Sequence, residues 1–583
     1  MPGNKNKDEA MEKRKELLLA RFRWSENWRR PWDDKWLRWY KAFRGIVPPL
    51  PEGEEDRSNL HIPYTYSTVD AVRSKLLTAC FANRPYISFV PKDADDVESA
   101  HNMETLVDSQ MNRADAEMMV RFYNLITDML IYGGCPYETG WKNESRLMRK
   151  KAPVTDPASG ILTGYEEIEE EVVLWDDPDF MPFMVDELYP DPEGTGIDDC
   201  GWVIRRRFIS EKDLKAKMED GIYQVKDLEE LRSAGDTLSQ GKQDRMAAIG
   251  ASYYNVDQSE VGGRRFEILE MWEDDHVTAV INRFECVRDE DNPFWHGKKP
   301  FGFAKLDPLN GEFYGISLIE IIEYLQAELN TTRNQRIDSA SQAINRMWFA
   351  LKGIGLEPAD LVSRPNGIIW VDNLEEAPKE VAFDPPPPAA YQEESIIKND
   401  IQEATSTYDV VRGAQGDEKR TATENAIRER STNIRFETKL KIFEVLGLKR
   451  LGFFFDQLNQ QFIDDVRSVR LQGSEGGYEW QDMGPEDITG RFEYQPVGSS
   501  IDGTLEKMNY RDNLLRLYEV FAEDPEIKGR ELKKRIFEAF DIKDVDKILK
   551  TEEEMLQEQQ EAEQEMLQGI LGGGAVPGGV VPG

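Results

Sequence analysis

The residue types that could support catalysis occur in this chain, but not at the spacing that catalysis requires. The closest match to a phosphate-binding P-loop, GKKP at residues 297–300, lacks the upstream glycine and the hydroxyl group that would contact Mg²⁺. The GIS at residues 315–317 begins like the turn that presents a catalytic serine, but Ile319 occupies the position of the closing glycine. We therefore expect no catalytic residue.

Histidines and acidic residues are also poorly placed for a metal centre. The four histidines include no pair at the spacing of a helical or hairpin metal site. Adjacent aspartates do not build a two-metal centre by themselves, because neighbouring residues of a strand point to opposite faces. The adjacent pairs are Asp176-Asp177, Asp198-Asp199 and Asp274-Asp275. We interpret them as solvated turns, with a divalent-ion site as the alternative, and expect no metal and no cofactor.

The composition is that of a large acidic protein without membrane spans. The chain has 583 residues, enough for two to four domains, and no apolar run long enough to cross a membrane. Its first residues lack the apolar core of a secretory signal. The cysteines are Cys80, Cys135, Cys200 and Cys286. Because they form no CxxC motif and no zinc spacing, we expect buried, reduced thiols in a cytosolic setting.

The net charge of −37 restricts how the chain can interact with nucleic acid. Tight binding of duplex DNA depends on Lys and Arg displacing counterions, whereas this chain repels DNA on average. The charge argues against an enzyme that grips DNA. It suits a conduit through which DNA slides, because repulsion keeps the polymer off the wall.

A long uninterrupted helix is predicted near the middle of the chain. Neither proline nor glycine occurs between Ile316 and Met347, and apolar residues recur there at helical spacing. Such a helix would be roughly 45 Å long. Its middle, residues 330–336, is polar on all sides, so we expect it to be solvated or to face a polar cavity.

Two arginines, Arg333 and Arg336, lie one turn apart in this polar stretch. A second helix is predicted at about residues 391–411, and it carries acidic residues that could reach them. We expect the arginines to form a polar band by pairing with Glu394 or Glu403. Exposure to the lumen of a channel is the alternative.

Short strands and a charged loop flank the second helix. The segment before it contains β-type runs at Trp348–Leu351 and Gly367–Val371. The loop RGAQGDEKRTATE follows it, and a third long helix is expected at about residues 422–463. Gly447 and Gly452 are the candidate positions for a kink in this third helix.

Tryptophans recur at every fourth position near the N-terminus, which places them on one helix face, with eight basic residues on the other. They are Trp24, Trp28, Trp32 and Trp36. We expect residues 1–20 to be frayed or a short solvated helix, and Pro31 to begin a second helix. The aromatic face is interpreted as a cap on the core of an outer domain. Contact with another protein or stacking on nucleic acid are the alternatives.

The remaining segments alternate between helices and antiparallel strands. Helices are predicted at about 66–82, 96–113 and 116–132, the last ended by Gly133 and Gly134. Strands are predicted at 86–90, 137–142, 165–174, 183–186, 202–208, 266–274, 277–287, 466–471 and 491–496. The Asp-Pro pairs at 177–178, 191–192 and 307–308 are expected to be turns. From about residue 504 the chain is expected to be helical, with a low-complexity Gly/Pro tail.

This order of elements resembles the stem, clip, tunnel loop and kinked wing helix of tailed-bacteriophage portal proteins. The GEFYGIS at 311–317 and the STYDVVRG at 406–413 fit that family as well, and the resemblance spans about residues 60–500. It implies an α+β protomer with a mixed α/β wing, a two-helix stem, a small β-containing clip, a long kinked helix and a helical C-terminal crown. The implied boundaries are 1–59 (N-terminal helical segment and linker), 60–310 (wing), 311–347 (first stem helix), 348–389 (clip), 390–412 (second stem helix), 413–421 (tunnel loop), 422–503 (kinked helix and return to the wing), 504–567 (crown) and 568–583 (disordered tail).

The resemblance implies a non-enzymatic ring, of twelve copies, at one capsid vertex of the virion, assembled in the host cytoplasm. Double-stranded DNA would pass through its channel without sequence specificity during packaging, retention and ejection. Terminase and a tail adaptor would dock on it, and capsid and scaffold proteins would surround it, with no membrane involved. The alternatives are another virion structural protein, such as an adaptor or minor capsid protein, or an intracellular multidomain hydrolase.

The resemblance also assigns roles to particular residues. Arg412, Lys419 and Arg420 would face DNA from the tunnel loop; an ordinary surface loop, paired with Glu424, is the alternative. The apolar clip residues expected to contact the neighbouring subunit are Trp348, Phe349, Ile368, Ile369, Trp370 and Val371. The acidic clip residues expected to face a basic docking partner are Glu375, Glu376, Glu380 and Asp384.

Overall fold

The chain forms two compact units, Met1–Arg467 with Asp482–Gly498 and Ser468–Gln481 with Ser499–Gly583. A computed structural model describes residues 2–54, 57–81, 84–113, 117–155, 162–226, 240–250, 265–344, 387–407, 434–472 and 478–497. It also describes residues 228, 231, 348–349, 379–380, 514, 516–518, 533–534 and 536–537.

Helices and strands are both abundant in the first unit. Its helices are α1 (Pro2–Arg44), α2 (Tyr64–Phe81), α3 (Val97–Met111), α4 (Met118–Tyr132), α5 (Glu211–Glu219), α6 (Gln240–Ala248), α7 (Leu318–Ile344), α8 (Pro388–Thr405), α9 (434–462) and α10 (Pro485–Ile488). Its strands are β1 (Ile87–Pro91), β2 (Cys135–Thr155), β3 (Leu162–Pro182), β4 (Leu188–Pro190), β5 (Val203–Ser210), β6 (Arg265–Trp272), β7 (His276–Ile281), β8 (Glu285–Asp291), β9 (Phe301–Ala304), β10 (Trp348–Phe349), β11 (Lys379–Glu380) and β14 (Phe492–Pro496).

The strands pair in antiparallel sheets. The largest has the order β4-β5-β6-β7-β8, and a three-stranded sheet has the order β3-β2-β9. Two-stranded sheets join β1 to β14 and β10 to β11. The second unit holds most of the pair β12 (Arg467–Gln472) and β13 (Tyr478–Met483) together with short helical pieces between residues 514 and 537. The predicted α+β class is confirmed.

The five-stranded sheet has a hydrophobic core on each face. Successive residues of a strand point to opposite faces, so Leu269 lies on one side and its neighbour Ile268 on the other. Leu269 packs with Leu18 and Phe22 of α1, whereas Ile268 packs with residues that include Tyr223. Both faces are therefore covered by parts of the same chain. The predicted burial of the four cysteines is also confirmed.

Helix α1 differs from the sequence-based prediction, because it is one continuous helix and Pro31 lies inside it. Proline removes the N–H that would bond the carbonyl four residues earlier, here that of Asn27. Both Pro31 and Asn27 are exposed, so water can satisfy the released carbonyl group. The prediction that Pro31 begins a second helix was wrong for this reason. Residues 2–20, expected to be frayed or a short solvated helix, are helical but belong to this same long helix.

Three predictions about strands and turns were also wrong. The segment 277–287 is not one strand, because Asn282 and Arg283 have positive φ and form the turn between β7 and β8. Asp177-Pro178 is not a turn; it lies in β3 and pairs with Lys142 and Trp141. Proline is tolerated there because β3 is an edge strand. The segment 183–186 leads into a 3₁₀ turn before β4, and β9 and β13 were missed.

The helix α9 changes its winding near one of the two predicted kink positions. Residues Glu444–Lys449, which include Gly447, are π-helical, and regular α-helix resumes at Arg450–Phe462. The hydroxyl of Tyr137 donates a hydrogen bond to the carbonyl of Gly447 at 3.1 Å. A π-turn leaves backbone groups without their usual partner, and here a buried tyrosine supplies one.

Candidate functional site

Helices α7 and α8, from the middle of the chain, form an antiparallel pair. Ile322 and Leu329 of α7 are fully buried against Ile397 and Ile401 of α8. These are positions of the apolar stripe that the spacing predicted. This apolar contact spans about two helical turns, and it brings the polar residues of α7 beside those of α8.

One carboxylate joins the polar parts of the two helices. Glu394 of α8 is buried and accepts hydrogen bonds from the Nε of Arg333 at 2.9 Å and the Nζ of Lys398 at 2.9 Å. Arg336 lies 2.8 Å from Oε2 of Glu394, the oxygen that also accepts from the Nε of Arg333, and its guanidinium stacks on the ring of Tyr391. The hydrogen bond from Arg333 lowers the pKa of Glu394 to about 2. Of the two acidic partners considered for the arginines, Glu394 is the one that both contact.

Helix α7 also binds a segment of the N-terminal region. We call residues 57–65, which end in the first two residues of α2, the strap. The backbone N–H groups of Ser58, Leu60, Ile62 and Thr65 donate to the side chains of Asp338, Asn334, Asn330 and Gln326, at 2.7–3.0 Å. The amide nitrogen of Gln326 donates in turn to the carbonyl of Ile62 at 2.9 Å. The polar stretch of α7 is therefore neither simply solvated nor facing an open cavity, because its side chains hold the backbone of the strap.

The base of α7 is fixed by a close approach between two glycines. Gly133 ends α4 with a φ of +79°, and its carbonyl accepts a hydrogen bond from the N–H of Gly315 at 3.1 Å. A Cβ on Gly133 would overlap the carbonyl of Gly315. Ser317 then caps α7, because its hydroxyl accepts from the N–H of Ile319 at 3.0 Å and lies 2.6 Å from the carbonyl of Ile131.

The tryptophan face of α1 encloses Tyr314, which precedes α7. The rings of Trp28, Trp32 and Trp36 lie 5.1–5.6 Å from that of Tyr314, which is buried. This fits the interpretation of the tryptophans as core residues. Trp24, by contrast, remains half-exposed near the edge of the core.

The basic residues of α1 were expected on a face away from the body, and several of them contact it instead. Lys35 pairs with Glu320 at 3.2 Å, and Arg38 pairs with Glu323 at 3.1 Å. Arg29 is buried and donates to the carbonyl of Leu188 at 2.8 Å. A continuous helix of this length can pair cations on more than one side, and α1 is consequently fastened along its length.

Large apolar side chains are exposed on both helices of the α7–α8 pair. Tyr324 is 80% exposed and Ile344 is 75% exposed on α7, and Tyr391 and Ile396 are more than half exposed on α8. These side chains are accessible to another protein chain.

Most of the predicted site residues lie outside the described part of the chain. These are Arg412, Lys419, Arg420, Ile368, Ile369, Trp370, Val371, Glu375, Glu376 and Asp384. Trp348 and Phe349 form β10, which pairs with Lys379 and Glu380 of β11. The predicted β insert thus includes at least one strand pair, whose second strand lies beyond the predicted 367–371 run.

Two other kinds of site are not found in the described part of the chain. Among its residues, no cluster of histidine, cysteine and acidic side chains could hold a metal ion. Within the same residues, no helix has the length and apolarity needed to cross a membrane. Asp177 lies in β3 and pairs with Arg113, so its interpretation as a turn residue was wrong, whereas Asp198 does lie in a turn, where it pairs with Arg450.

Sequence reasoning missed the residues of α7 that hold the strap. Gln326, Asn330, Asn334 and Asp338 recur at every fourth position. Such a row of amide and carboxylate side chains predicts a series of hydrogen bonds along one helix face. That spacing was the available signal, although it does not indicate which segment binds there.

Comparison with known proteins relates most of the chain to a family. A family model described as "Phage SU10 portal protein" matches residues 163–570, more than two thirds of the chain. The matched range begins at β3 and includes α7, α8 and α9, whereas α1, the strap and β2 precede it. No curated protein matches the chain.

Proposed function

The chain belongs to the phage SU10 portal protein family, and from that premise we propose that it is the protomer of a ring at one capsid vertex. DNA would pass through the central channel during packaging and ejection and would be held there between the two. The ring would be a virion component that carries no catalytic site of its own, with ATP hydrolysis supplied by a terminase.

The α7–α8 pair is the observation that carries the proposal. It is a rod of 27 and 18 residues, roughly 40 Å long on its longer side. The contacts of Glu394 join the two helices to each other, and the strap and the approach of Gly133 to Gly315 fasten α7 to the body, while Tyr324 and Ile344 stay exposed. A rod that is fastened to the body and still exposes large apolar side chains suits lateral packing against copies of itself around an axis.

The net charge supports a channel in which DNA moves freely. Each chain carries −37, so a ring of twelve would carry roughly −440 formal charges. A wall of this sign repels phosphates and prevents a static complex. In the proposal, Arg412, Lys419 and Arg420 make the transient contacts that retain DNA without anchoring it.

The segment between α7 and α8 would form the clip at one end of the ring. Its apolar residues, among them Trp370, would bury against the neighbouring copy, and its acidic residues, among them Glu380, would face a basic terminase or tail adaptor. The pairing of β10 with β11 is consistent with a small β-structured insert at this position.

Native mass measurement and single-particle imaging of the purified protein test the proposal. We expect a closed ring of about twelve copies with an axial channel wide enough for duplex DNA. Incubation with nucleotides and phosphodiesters is the control. A protein that stays monomeric at every concentration tested, and hydrolyses one of these substrates, would contradict the proposal and favour the hydrolase.

A further inference from the structure

The hairpin of β2 and β3 extends well beyond the core to which its base belongs. Each strand has 21 residues, and a register shift between Glu144 and Ser145 divides the hairpin into two halves. In the inner half, Trp141 stacks on Phe462 and Tyr137 is fully buried. We call residues 145–155 and 162–173 the outer hairpin. It is about 35 Å long at about 3.4 Å per residue.

The outer hairpin has no core of its own. Leu147 and Tyr165 are about two thirds exposed, and Met148 and Val173 are also exposed. A two-stranded hairpin that is solvated on both faces is at best marginally stable in water. The length and the apolar content of the outer hairpin therefore indicate that something further packs beside it.

The two halves of the hairpin also differ in how their edges are covered. In the inner half, β9 pairs with β2 as far as Glu138, and the carbonyls of Leu174, Asp176 and Phe180 in β3 accept hydrogen bonds from arginine side chains. In the outer half, β2 and β3 pair with each other, and no other described strand lies beside them. Unpaired edges of this length are sites for strand addition.

The two open edges carry opposite charges. The outer part of β2 has Arg146, Arg149, Lys150 and Lys151, and the facing part of β3 has Glu167, Glu169, Glu170 and Glu171. Arg149 pairs with Glu169 at 3.0 Å within the hairpin, yet their side chains stay 77% and 58% exposed. Each edge can therefore still attract a charged neighbour.

We propose that the outer hairpins of adjacent copies join edge to edge, with basic β2 of one copy beside acidic β3 of the next. This inference rests on the proposed ring. A foreign basic or acidic protein would match only one edge, whereas a second copy of this chain matches both. The contact is head-to-tail. A row of copies joined in this way has a free edge at each end unless it closes into a ring.

Rotational symmetry also sets the direction of pairing. All hairpins in a ring point the same way, so β2 of one copy runs opposite to β3 of its neighbour and the antiparallel pattern continues. Twelve hairpins would close a barrel of 24 strands, roughly 45–50 Å across if the strands tilt by about 40°. The exposed Leu147 and Tyr165 would then have neighbours along the barrel wall.

Cross-linking of single-cysteine variants tests the contact directly. Arg149→Cys and Glu169→Cys proteins are each purified, mixed under conditions that allow assembly, and treated with a mild oxidant, which forms disulfides only between thiols on directly neighbouring strands and not across the roughly 10 Å of two strand spacings. The native cysteines are all buried, so their background reaction is low. We expect covalent dimers in the mixture and none in either variant alone, because like edges do not meet.

The outcomes separate this inference from the ring itself. Rings that show no dimer specific to the mixture, or dimers in one variant alone, would overturn the edge contact and leave the ring intact. Failure of the parent protein to form rings under any condition would overturn both.

Charge reversal gives an independent test that folding defects cannot imitate. One variant combines Arg149→Glu, Lys150→Glu and Lys151→Glu, and the other combines Glu169→Lys, Glu170→Lys and Glu171→Lys. We expect each alone to need at least tenfold more protein for assembly, and the mixture to assemble like the parent. The mixture restores opposite charges only between chains, so parental assembly by each variant alone, or no rescue on mixing, would overturn the inference.

Discussion

Asn334 holds the backbone of Leu60 through both of its amide atoms. Its Oδ1 accepts a hydrogen bond from the N–H of Leu60 at 2.9 Å, and its Nδ2 donates to the carbonyl of Leu60 at 3.2 Å. A helical side chain thus makes the two bonds that a neighbouring strand would make. The strap is fixed to α7 by this contact and by the related ones at Gln326 and Asn330.

Removing a side-chain amide of α7 that holds the strap should destabilise the protein, and the loss should be larger when that amide is buried. Gln326 is buried and accepts from both the N–H and the hydroxyl of Thr65, so Gln326→Ala should lower the free energy of unfolding by about 2–3 kcal/mol. Asn334 makes exposed bonds, so Asn334→Ala should cost about 1 kcal/mol. Denaturant titration measures both. Hydrogen exchange should accelerate at Leu60 in the second variant, and unchanged exchange there would show that the strap is held by other contacts.

Neutralising Glu394 should destabilise the helix pair, because three cations would then face one another without a counter-charge. We expect Glu394→Gln to lower the free energy of unfolding by about 2–3 kcal/mol at pH 7. Glu393→Gln is the matched control, since Glu393 is exposed, and it should change stability by less than about 0.5 kcal/mol.

The same pair of variants has a predictable dependence on pH. The pKa of Glu394 is lowered to about 2 in the folded protein, chiefly by Arg333. Its contribution is therefore present above pH 4.5 and is lost as the pH falls towards 2. The difference between the parent and Glu394→Gln should shrink over that range. A difference that is constant from pH 7 to pH 3 would contradict the stabilisation of the Glu394 carboxylate by Arg333.

Asp128 should make the protein less stable as the pH rises through neutrality. Desolvation raises the pKa of Asp128 to about 7, against the opposing effect of Arg245, with Asp186 adding to the rise. A group with a raised folded-state pKa stabilises fully below its unfolded pKa of about 4, and that stability is lost as the pH passes the folded value. Asp128→Asn should consequently melt at a higher temperature than the parent at pH 8 and at a similar one at pH 4. Parallel melting curves at both pH values would show that Asp128 is ionised throughout.

Gly133 should tolerate no side chain, because of both its φ angle and its neighbour. Gly133→Ala should lower the free energy of unfolding by about 3 kcal/mol or more, since its Cβ would overlap the carbonyl of Gly315. Gly221 has a similar φ of +74° but nothing within 4 Å of its Cβ position, so Gly221→Ala should cost only about 1 kcal/mol. Similar losses in the two variants would mean that α4 and α7 can separate without strain.

Removing the cations of the proposed tunnel loop should affect DNA and leave assembly intact. We expect Lys419→Ala combined with Arg420→Ala to form normal rings and to reduce DNA packaging or retention by several-fold. Lys212→Ala, at an exposed position on α5, is the control. Packaging indistinguishable from the parent would remove the assignment of this loop.

The features that residue spacing predicted correctly involve a single helix or two elements that are close in the sequence. The apolar stripe through Ile322 and Leu329, the break at Gly133 and the partnership of Arg333 with Glu394 all follow from residue types a turn or a loop apart. The π-helical turn at Gly447 was anticipated only as a kink at one of two glycines.

What could not be predicted depends on segments that are remote in the chain. The polar stretch of α7 was interpreted as solvated because its partner, the strap, lies 261–280 residues earlier. Pro31 was expected to begin a helix because local preference favours that position, whereas packing of α1 against the five-stranded sheet and Tyr314 keeps the helix continuous. Asp177-Pro178 was interpreted as a turn because the dipeptide alone does not show that β3 continues through it and pairs with β2.

The contact between α1 and the start of α7 has a consequence for biosynthesis. Lys35 meets Glu320 across 285 residues of sequence, and at 5–20 residues per second a ribosome needs roughly 15–60 s to make that much chain. During that interval the tryptophans of α1 have left the exit tunnel, but Tyr314 does not yet exist. The tryptophan face of α1 is thus without its partner Tyr314 for roughly 15–60 s of synthesis, and the packing around Tyr314 can form only after the middle of the chain emerges.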